Sequence, residues 1–274
     1  MATLYVVATP IGNLADVSQR ALDVLAAVPL VVAEDTRVTR RLLARYKIET
    51  RLESFHAHSG ASRVAALVEH LAGGKDLALT SDAGTPLVSD PGEDLVAAWA
   101  ARGGTIVPIP GPSAALAALV ASALPAARFA FEGFLPRRGK ERRERLAAIA
   151  SDNRASIIFE APGRAAATLA DLARVCGADR RASLSRELTK LHEETWRGTL
   201  AELAARAEAE APRGEVTLVI SGAAASQGEP TTTLDIGRRE VDRLVGEGMS
   251  RSSAAREVAQ RTGLARRELF RAAG

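Results

Sequence analysis

From residue 4 to residue 110, short β-rich runs take turns with segments of helical period. The runs cover 4–9, 30–33, 77–80 and 105–109, and between them lie 18–27, 38–46, 62–72 and 93–101. Strands that alternate with helices build βαβ units, so this rhythm predicts a parallel sheet covered by helices. After Pro110-Gly111-Pro112 a second α/β pattern begins: β-like runs at 129–134, 156–159, 182–188, 195–199 and 215–221, with helical segments at 140–150, 165–175 and 200–209. Residues 222–230 are small and turn-rich without period, which reads as a linker. The predicted class is α/β: one α/β domain over 1–112, a second over 113–225, and a small helical domain over 234–274.

At 274 residues, with 47% hydrophobic and 25% charged residues, the chain has the composition of a globular protein with room for two cores. The net charge of +3 is small, so any polyanion argument must rest on local clusters. Cys176 is the single cysteine, which excludes an internal disulfide or a thiolate cluster and fits a reducing cytoplasm. The first residues lack a basic signal-peptide region and run into a strand. The uncharged stretch 111–127 is broken by two prolines and falls short of the roughly 20 apolar residues of a membrane span.

The chemistry is expected at the strand tips, because open α/β sheets bind ligands at the carboxyl ends of their strands. Ser81-Asp82-Ala83-Gly84-Thr85-Pro86 leaves the apolar run at 77–80 and carries one early charge, Asp82, suited to a hydroxyl or an ammonium. Gly84 lets the backbone come close to a ligand. Further on, Asp90, Pro91 and Glu93 read as the N-cap, first residue and capping-box partner of the next helix. The first run ends in a tight turn, Thr9-Pro10-Ile11-Gly12-Asn13-Leu14. The second ends in Glu34-Asp35-Thr36-Arg37, where Asp35 or Thr36 has capping as its plain alternative.

No Gly-x-Gly-x-x-Gly follows the first strand, and Gly73-Gly74-Lys75-Asp76 lacks the spacing of a phosphate-cradling loop. His56 and His58 could share one face of a strand. They have no nearby cysteine or carboxylate partners, so no metal is expected.

Two basic clusters stand out. Residues 136–145 hold six Lys/Arg against two Glu, directly after the aromatic and glycine-containing Phe131–Phe134 stretch, so Arg137, Arg138 and Lys140 read as phosphate contacts, with a solvated helix face as the alternative. Residues 235–274 hold nine Arg against six Asp/Glu. There a helical segment, Thr262-Gly263-Leu264 and the Arg266-Arg267 pair resemble a helix-turn-helix; a small docking bundle or dimer arm is the alternative.

Taken together and in order, Thr-Pro-Ile-Gly-Asn-Leu (9–14), Glu-Asp-Thr-Arg (34–37), Ser-Asp-Ala-Gly-Thr-Pro (81–86), Pro-Gly-Pro-Ser-Ala (110–114), Gly-Phe-Leu-Pro-Arg (133–137), Phe-Glu-Ala-Pro (159–162) and Arg-Glu-Leu-Thr-Lys (186–190) form a recognisable set. The chain resembles, over nearly its whole length, the bacterial 16S rRNA ribose 2′-O-methyltransferases of the tetrapyrrole methylase superfamily. That resemblance implies S-adenosylmethionine in a cleft between two α/β domains, a homodimer, and 16S rRNA or the small ribosomal subunit as the partner. By motif it puts Pro10, Asp82, Ala83, Gly84, Thr85, Ser113 and Ala114 at the cofactor, with further contacts near Phe159 and Leu188. One departure is visible: these relatives usually carry a histidine where this chain has Gly163.

For the reaction this implies, positioning supplies much of the rate, and a base or an electrostatic stabiliser would help a weakly nucleophilic hydroxyl. Lys190 is the candidate, oriented by Glu187, with a structural ion pair as the alternative. Arg37 and Arg164 read as phosphate-contacting or site-organising cations. Methylation of a porphyrin-like ring or of a protein side chain, and an RNA-binding protein without chemistry, are the competing readings.

Overall fold

A computed structural model describes residues 2–223 and 233–271. The first half forms a five-stranded sheet from β1 (Thr3–Val7), β2 (Val31–Ala33), β3 (Leu52–Ser54), β4 (Leu77–Thr80) and β5 (Thr105–Ile109). Their order is β3-β2-β4-β1-β5, and every pairing is parallel. The connecting helices are α1 (Gln19–Ala27), α2 (Thr36–Arg45), α3 (Ala61–Ala72) and α4 (Glu93–Ala101). Both faces of the sheet are apolar. Leu4, Leu77 and Leu79 pack with α3 and α4 residues such as Leu71 and Trp99, while Val7, Val31 and Ala78 pack with Leu25 and Leu42. That two-sided burial explains why β2 and β4 read as unbroken hydrophobic runs.

In the second half, α5 (Ala114–Ala121) precedes β6 (Phe129–Phe134), α6 (Lys140–Ser151), β7 (Ala155–Glu160), α7 (Ala165–Cys176), β8 (Arg181–Arg186), β9 (Glu194–Thr199), α8 (Leu200–Ala209) and β10 (Val216–Ile220). The sheet order is β6-β7-β10-β8-β9. Only β6 and β7 are parallel; the other three pairings are antiparallel. One face of this sheet packs on α6, α7 and α8 through residues such as Leu146, Leu169 and Leu203. The other packs on α5, and Ile11 from the turn after β1 joins that cluster with Ala118, Ile157 and Val219. The two sheets are therefore tied together by buried contacts, and the chain up to Gly222 is one compact unit.

A second unit begins at Ala223. Its described part is α9 (Thr233–Gly246), α10 (Arg251–Thr262) and the single turn α11 (Arg266–Leu269), closed over Val241, Leu244, Ala254, Ala255, Val258 and Leu269. Gly263 takes the left-handed conformation that ends α10, as its place in the Thr-Gly-Leu turn requires. Of the expected linker at 222–230, residues 224–230 lie outside the described residues.

Three local expectations change. Asp90 caps no helix: α4 starts at Glu93, its N-cap is Gly92 at φ 132°, and no side chain caps it. His56 and His58 follow β3 in a turn, where the His58 N–H donates to His56 Nδ1 at 3.2 Å, so they share no strand face. The short edge strand β3, with its half-polar sequence Leu-Glu-Ser, lies outside the predicted runs. Among the described residues no helix is long and apolar enough to cross a membrane, and no group of His, Cys, Asp or Glu could hold a metal ion.

Candidate active site

The carboxyl ends of β1, β2 and β4 meet residues of the second half around a cleft of about 690 Å³. That size lies within the range of small-molecule sites. The turns leaving β1 and β4 are locked to each other: Thr9 and Gly84 exchange two backbone hydrogen bonds, Thr9 N to Gly84 O at 2.8 Å and Gly84 N to Thr9 O at 3.0 Å. Gly84 sits at φ 85°, a conformation that a side chain would strain. Asp82 lines the cleft and accepts the backbone N–H of Asp35 at 2.8 Å, which joins the β4 tip to the start of α2. Asp35 caps α2 and holds Arg37 in a two-pronged ion pair, which lowers its carboxyl to about 2.

Of the residues expected at the cofactor, Asp82, Ala83, Gly84, Thr85, Ser113, Ala114 and Phe159 all line this cleft. Pro10 is buried behind the wall and its neighbour Ile11 faces the cavity instead. Leu188 is buried in the cluster beneath α5 rather than exposed to the cleft. Ser113 caps α5, accepting from Leu116 N.

Lys190 and Glu187 line the same cleft from the second half. The Lys190 Nζ donates to Glu187 at 3.0 Å and to Glu215 at 3.2 Å. Burial works to lower its pKa, but these two carboxylates outweigh it and hold the ammonium above its ordinary value. The bond from Lys190 in turn lowers Glu187. This loop is backbone-strained, with Glu187 at φ 51° and Thr189 at φ 67°. Two glycines make its geometry possible: a Cβ on Gly12 would lie 2.5 Å from Lys190 Cγ, and one on Gly214 would collide with the Glu187 carboxylate.

Residues that sequence reasoning assigns elsewhere complete the site. Asp90 is half-buried in the cleft, where burial and then the charge of Glu34 push its carboxyl up to about 6. Glu34, also in the cleft, is raised by burial and then by Asp82. The signal for Asp90 lies in the Ser89-Asp90-Pro91-Gly92 sequence, which has equally the form of a helix start.

The basic positions separate into two kinds. Arg142 is buried and bonds to Asp171 at 2.9 Å, to Thr168 and to the Pro136 carbonyl, while Arg145 pairs with Glu132 at 2.7 Å. These two arginines build the loop that follows β6. Arg137 and Arg138 in that loop are left exposed and without an ion-pair partner among the described residues, and Lys140 reaches only Glu144 at 3.5 Å. Phe134, at the loop's start, is 57% exposed, lines the cleft and meets the Phe159 ring edge-on at 5.7 Å. Arg164 is engaged by buried Glu160 at 3.3 Å and by the Leu135 carbonyl, so it organises the site's rim. In the C-terminal unit Arg266 bonds to Ser252, and Arg267 is exposed.

Two helix-covered sheets whose strand-tip turns converge on a mostly apolar, acid-edged cleft make up an α/β small-molecule enzyme. Residues 3–204 match the family model described as Tetrapyrrole (Corrin/Porphyrin) Methylases, and the chain belongs to this family. It is 44% identical over 270 residues to the Ribosomal RNA small subunit methyltransferase I of Synechocystis sp. (strain ATCC 27184 / PCC 6803 / Kazusa), covering 98% of this chain and 96% of that one. A protein of the same name from Thermotoga maritima is 44% identical over 222 residues, 81% of this chain and 99% of its own length. Among solved structures, uroporphyrin-III C-methyl transferase from Thermus thermophilus complexed with S-adenyl homocysteine has the same fold, with TM-score 0.59 and 18% identity over 80% of this chain and 97% of that one. The chain is an S-adenosylmethionine-dependent methyltransferase.

The cleft suits that cofactor. S-adenosylmethionine carries a sulfonium and an ammonium, and the cavity offers carboxylates at Asp82 and Glu34 within an otherwise largely apolar, aromatic-edged lining.

Proposed function

We propose that this chain methylates the ribose 2′-hydroxyl of a cytidine in the decoding region of 16S rRNA, acting as a cytoplasmic homodimer on rRNA or the small ribosomal subunit. The observation that carries this reading is the loop after β6: an exposed phenylalanine lining the cleft, followed by two exposed arginines without an ion-pair partner among the described residues. A base can stack on an aromatic face while guanidinium groups take the adjacent phosphates. The names of the near-full-length relatives support ribosomal RNA as the substrate class.

In this reading Asp82, Ala83, Gly84, Thr85, Ser113, Ala114 and Phe159 hold S-adenosylmethionine. When bound, the cofactor supplies a methyl group on an already activated sulfonium. The protein's own part is to align the acceptor, exclude water and manage charge. Lys190, kept as an ammonium by Glu187 and Glu215, cannot serve as a base at neutral pH; its role is to stabilise negative charge that grows on the acceptor oxygen. Arg137, Arg138 and Lys140, with Arg266 and Arg267 of the C-terminal unit, supply phosphate contacts. Arg37 acts chiefly on Asp35 at the start of α2, and Arg164 on Glu160 of the cleft.

Incubation with labelled S-adenosylmethionine and unmethylated small subunits, followed by nuclease digestion and nucleoside mass spectrometry, tests the proposal. Added mass on the sugar of one cytidine, with alkaline cleavage blocked beside it, is the expected result. Methyl on a base would overturn it.

A further inference from the structure

Methyl transfer to a hydroxyl releases a proton, and the Lys190 ammonium has no free electron pair to receive it. The wall contributed by the first half of the chain does carry such a group. The loop after β4 holds two non-glycine residues in left-handed conformations, Leu87 at φ 72° and Ser89 at φ 69°, before Gly92 at φ 132°. Such residues cost about 1–3 kcal/mol each and persist where packing imposes them, most often at functional sites. The packing here is close: a Cβ on Gly133 of β6 would lie 3.1 Å from Ser89 Oγ, and one on Gly92 would lie 2.7 Å from the Leu79 side chain.

This strained path puts Val88, Ser89 and Asp90 in the cleft lining and withdraws Asp90 from α4, which it does not cap. Asp90 also has no ion-pair partner among the described residues. A half-buried carboxylate is thus presented to the cofactor cleft, and no structural bond to a helix or a cation accounts for it.

We propose that Asp90 is the proton acceptor of the methyl transfer and that Glu34, which lines the same cleft, is a positioning residue that acts through it. This rests on the acceptor being a hydroxyl, as proposed above. The acceptor oxygen bonds the methyl carbon as the carbon–sulfur bond breaks, and that bond's electron pair stays on sulfur. The hydroxyl proton passes to the Asp90 carboxylate and later to water. The charged groups around Asp90 are Glu34 and Asp82 at neighbouring strand tips and, lining the same cleft from the second half, Glu160, Glu187, Lys190 and Glu215. The nearby Ser81 side chain works against the rise, but burial and Glu34 prevail, so the group stands near 6: ionised at neutral pH yet more basic than an ordinary carboxylate.

The test uses the full chain with S-adenosylmethionine and unmethylated small subunits. Wild-type single-turnover rates should climb through about pH 6 and then level off. Asp90→Asn should lower the plateau about 10²–10⁴-fold and remove that climb, with cofactor affinity by calorimetry nearly unchanged. Glu34→Gln should retain the climb but move it to lower pH. Carbon-13 NMR of the protein without cofactor or RNA should show one carboxyl titrating near that pH, missing in Asp90→Asn. The assignment to Asp90 is overturned if Asp90→Asn keeps the wild-type rate and pH profile, if its rate loss is matched by an equal loss of cofactor affinity, or if no such carboxyl titrates. A methyl found on a base nitrogen in the same product digest would instead overturn the hydroxyl-acceptor reading, whatever Asp90 does.

Discussion

Asp82 accepts the backbone N–H of Asp35 at 2.8 Å, so one carboxylate both edges the cleft and fastens the tip of β4 to the start of α2. Two effects are therefore mixed in any Asp82 truncation. Asp82→Ala should abolish measurable cofactor binding and also lower stability by about 1–3 kcal/mol, because it leaves the Asp35 N–H without its partner. Asp82→Asn keeps an acceptor oxygen for that N–H and removes the charge. It should melt near wild type but bind S-adenosylmethionine at least about 10-fold more weakly, as expected for losing a bond to a charged group. Calorimetry and thermal melts on the two variants separate the roles; equal cofactor affinity for wild type and Asp82→Asn would take the charge out of recognition.

Lys190 gives a kinetic prediction. Lys190→Ala should reduce the single-turnover rate about 10²–10³-fold while RNA and cofactor affinities change little, the pattern of a group that acts mainly in the transition state. The folded pKa of Lys190 is raised, so its ion pairs stabilise the fold fully below its ordinary value of 10.5 and are lost as pH rises through the higher folded value. The partner carboxylate Glu187 is lowered, so its share is present above 4.5 and lost as pH falls through its folded value. Between those limits the pair stays charged, and no activity limb near neutrality should belong to Lys190. A basic limb that disappears in Lys190→Ala would contradict this.

The close approach at Gly12 predicts a remote effect. A methyl group there would press on Lys190 Cγ at 2.5 Å and on Thr189 Oγ1 at 2.9 Å, and the Leu188 carbonyl at 3.0 Å leaves it little room to relax. Gly12→Ala should therefore displace the Lys190 loop and lower the methylation rate at least about 10-fold, since small misplacements of catalytic groups are costly. Cofactor binding through the β4 turn should survive. Crystallography of the variant checks the displacement directly, and an unmoved loop with normal rate would show that the neighbours yield at no cost.

The fold is legible because its signals are local. Two-sided burial makes β2 and β4 continuous apolar runs, and the helical periods at 18–27 and 200–209 coincide with α1 and α8, capped by Ser18 and Thr199. Strand β3 escapes because Leu52-Glu53-Ser54 is short, half-polar and at the sheet edge. The cleft is half legible. Asp82 and Gly84 announce themselves in a strand-tip turn, whereas Asp90 reads as a cap because its neighbours, Pro91 and Glu93, are those of a helix start. Positive φ at Leu87 and Ser89 decides otherwise, and neither residue type signals it. Likewise the basic run at 136–145 does not disclose that Arg142 and Arg145 turn inward, since their partners Asp171 and Glu132 are distant in sequence.

The C-terminal unit should be separable from cofactor binding. It has its own core around Val241, Ala255 and Val258 and forms a compact unit apart from the one that holds the cleft. Some of this unit's arginines already serve carboxylates: Arg243 and Arg261 bond to Glu240, and Arg251 to Asp242. Truncation after Gly222 should leave S-adenosylmethionine affinity within about 2-fold, weaken RNA binding and flatten its dependence on salt, because fewer phosphates are then neutralised and fewer counterions released. An unchanged salt slope would identify the unit as an assembly element.

Asp90 should carry a stability cost that its removal reveals. Its carboxyl moves from an ordinary 3.8 to about 6 on folding, so between those values the folded chain holds a proton that the unfolded chain has lost. The cost of ionising it in place is absent below pH 3.8 and complete above about pH 6. Two pKa units correspond to about 3 kcal/mol, reduced to roughly 1 kcal/mol for a half-exposed group screened by solvent. Asp90→Asn removes that cost, and should raise the melting temperature by about 2–4 °C near pH 7.5 and by almost nothing near pH 4. Together with the predicted loss of rate, this would be the stability–activity trade-off expected of a strained catalytic group. Melting curves at the two pH values decide it: a variant that melts lower at both would make Asp90 a structural support of the loop around it.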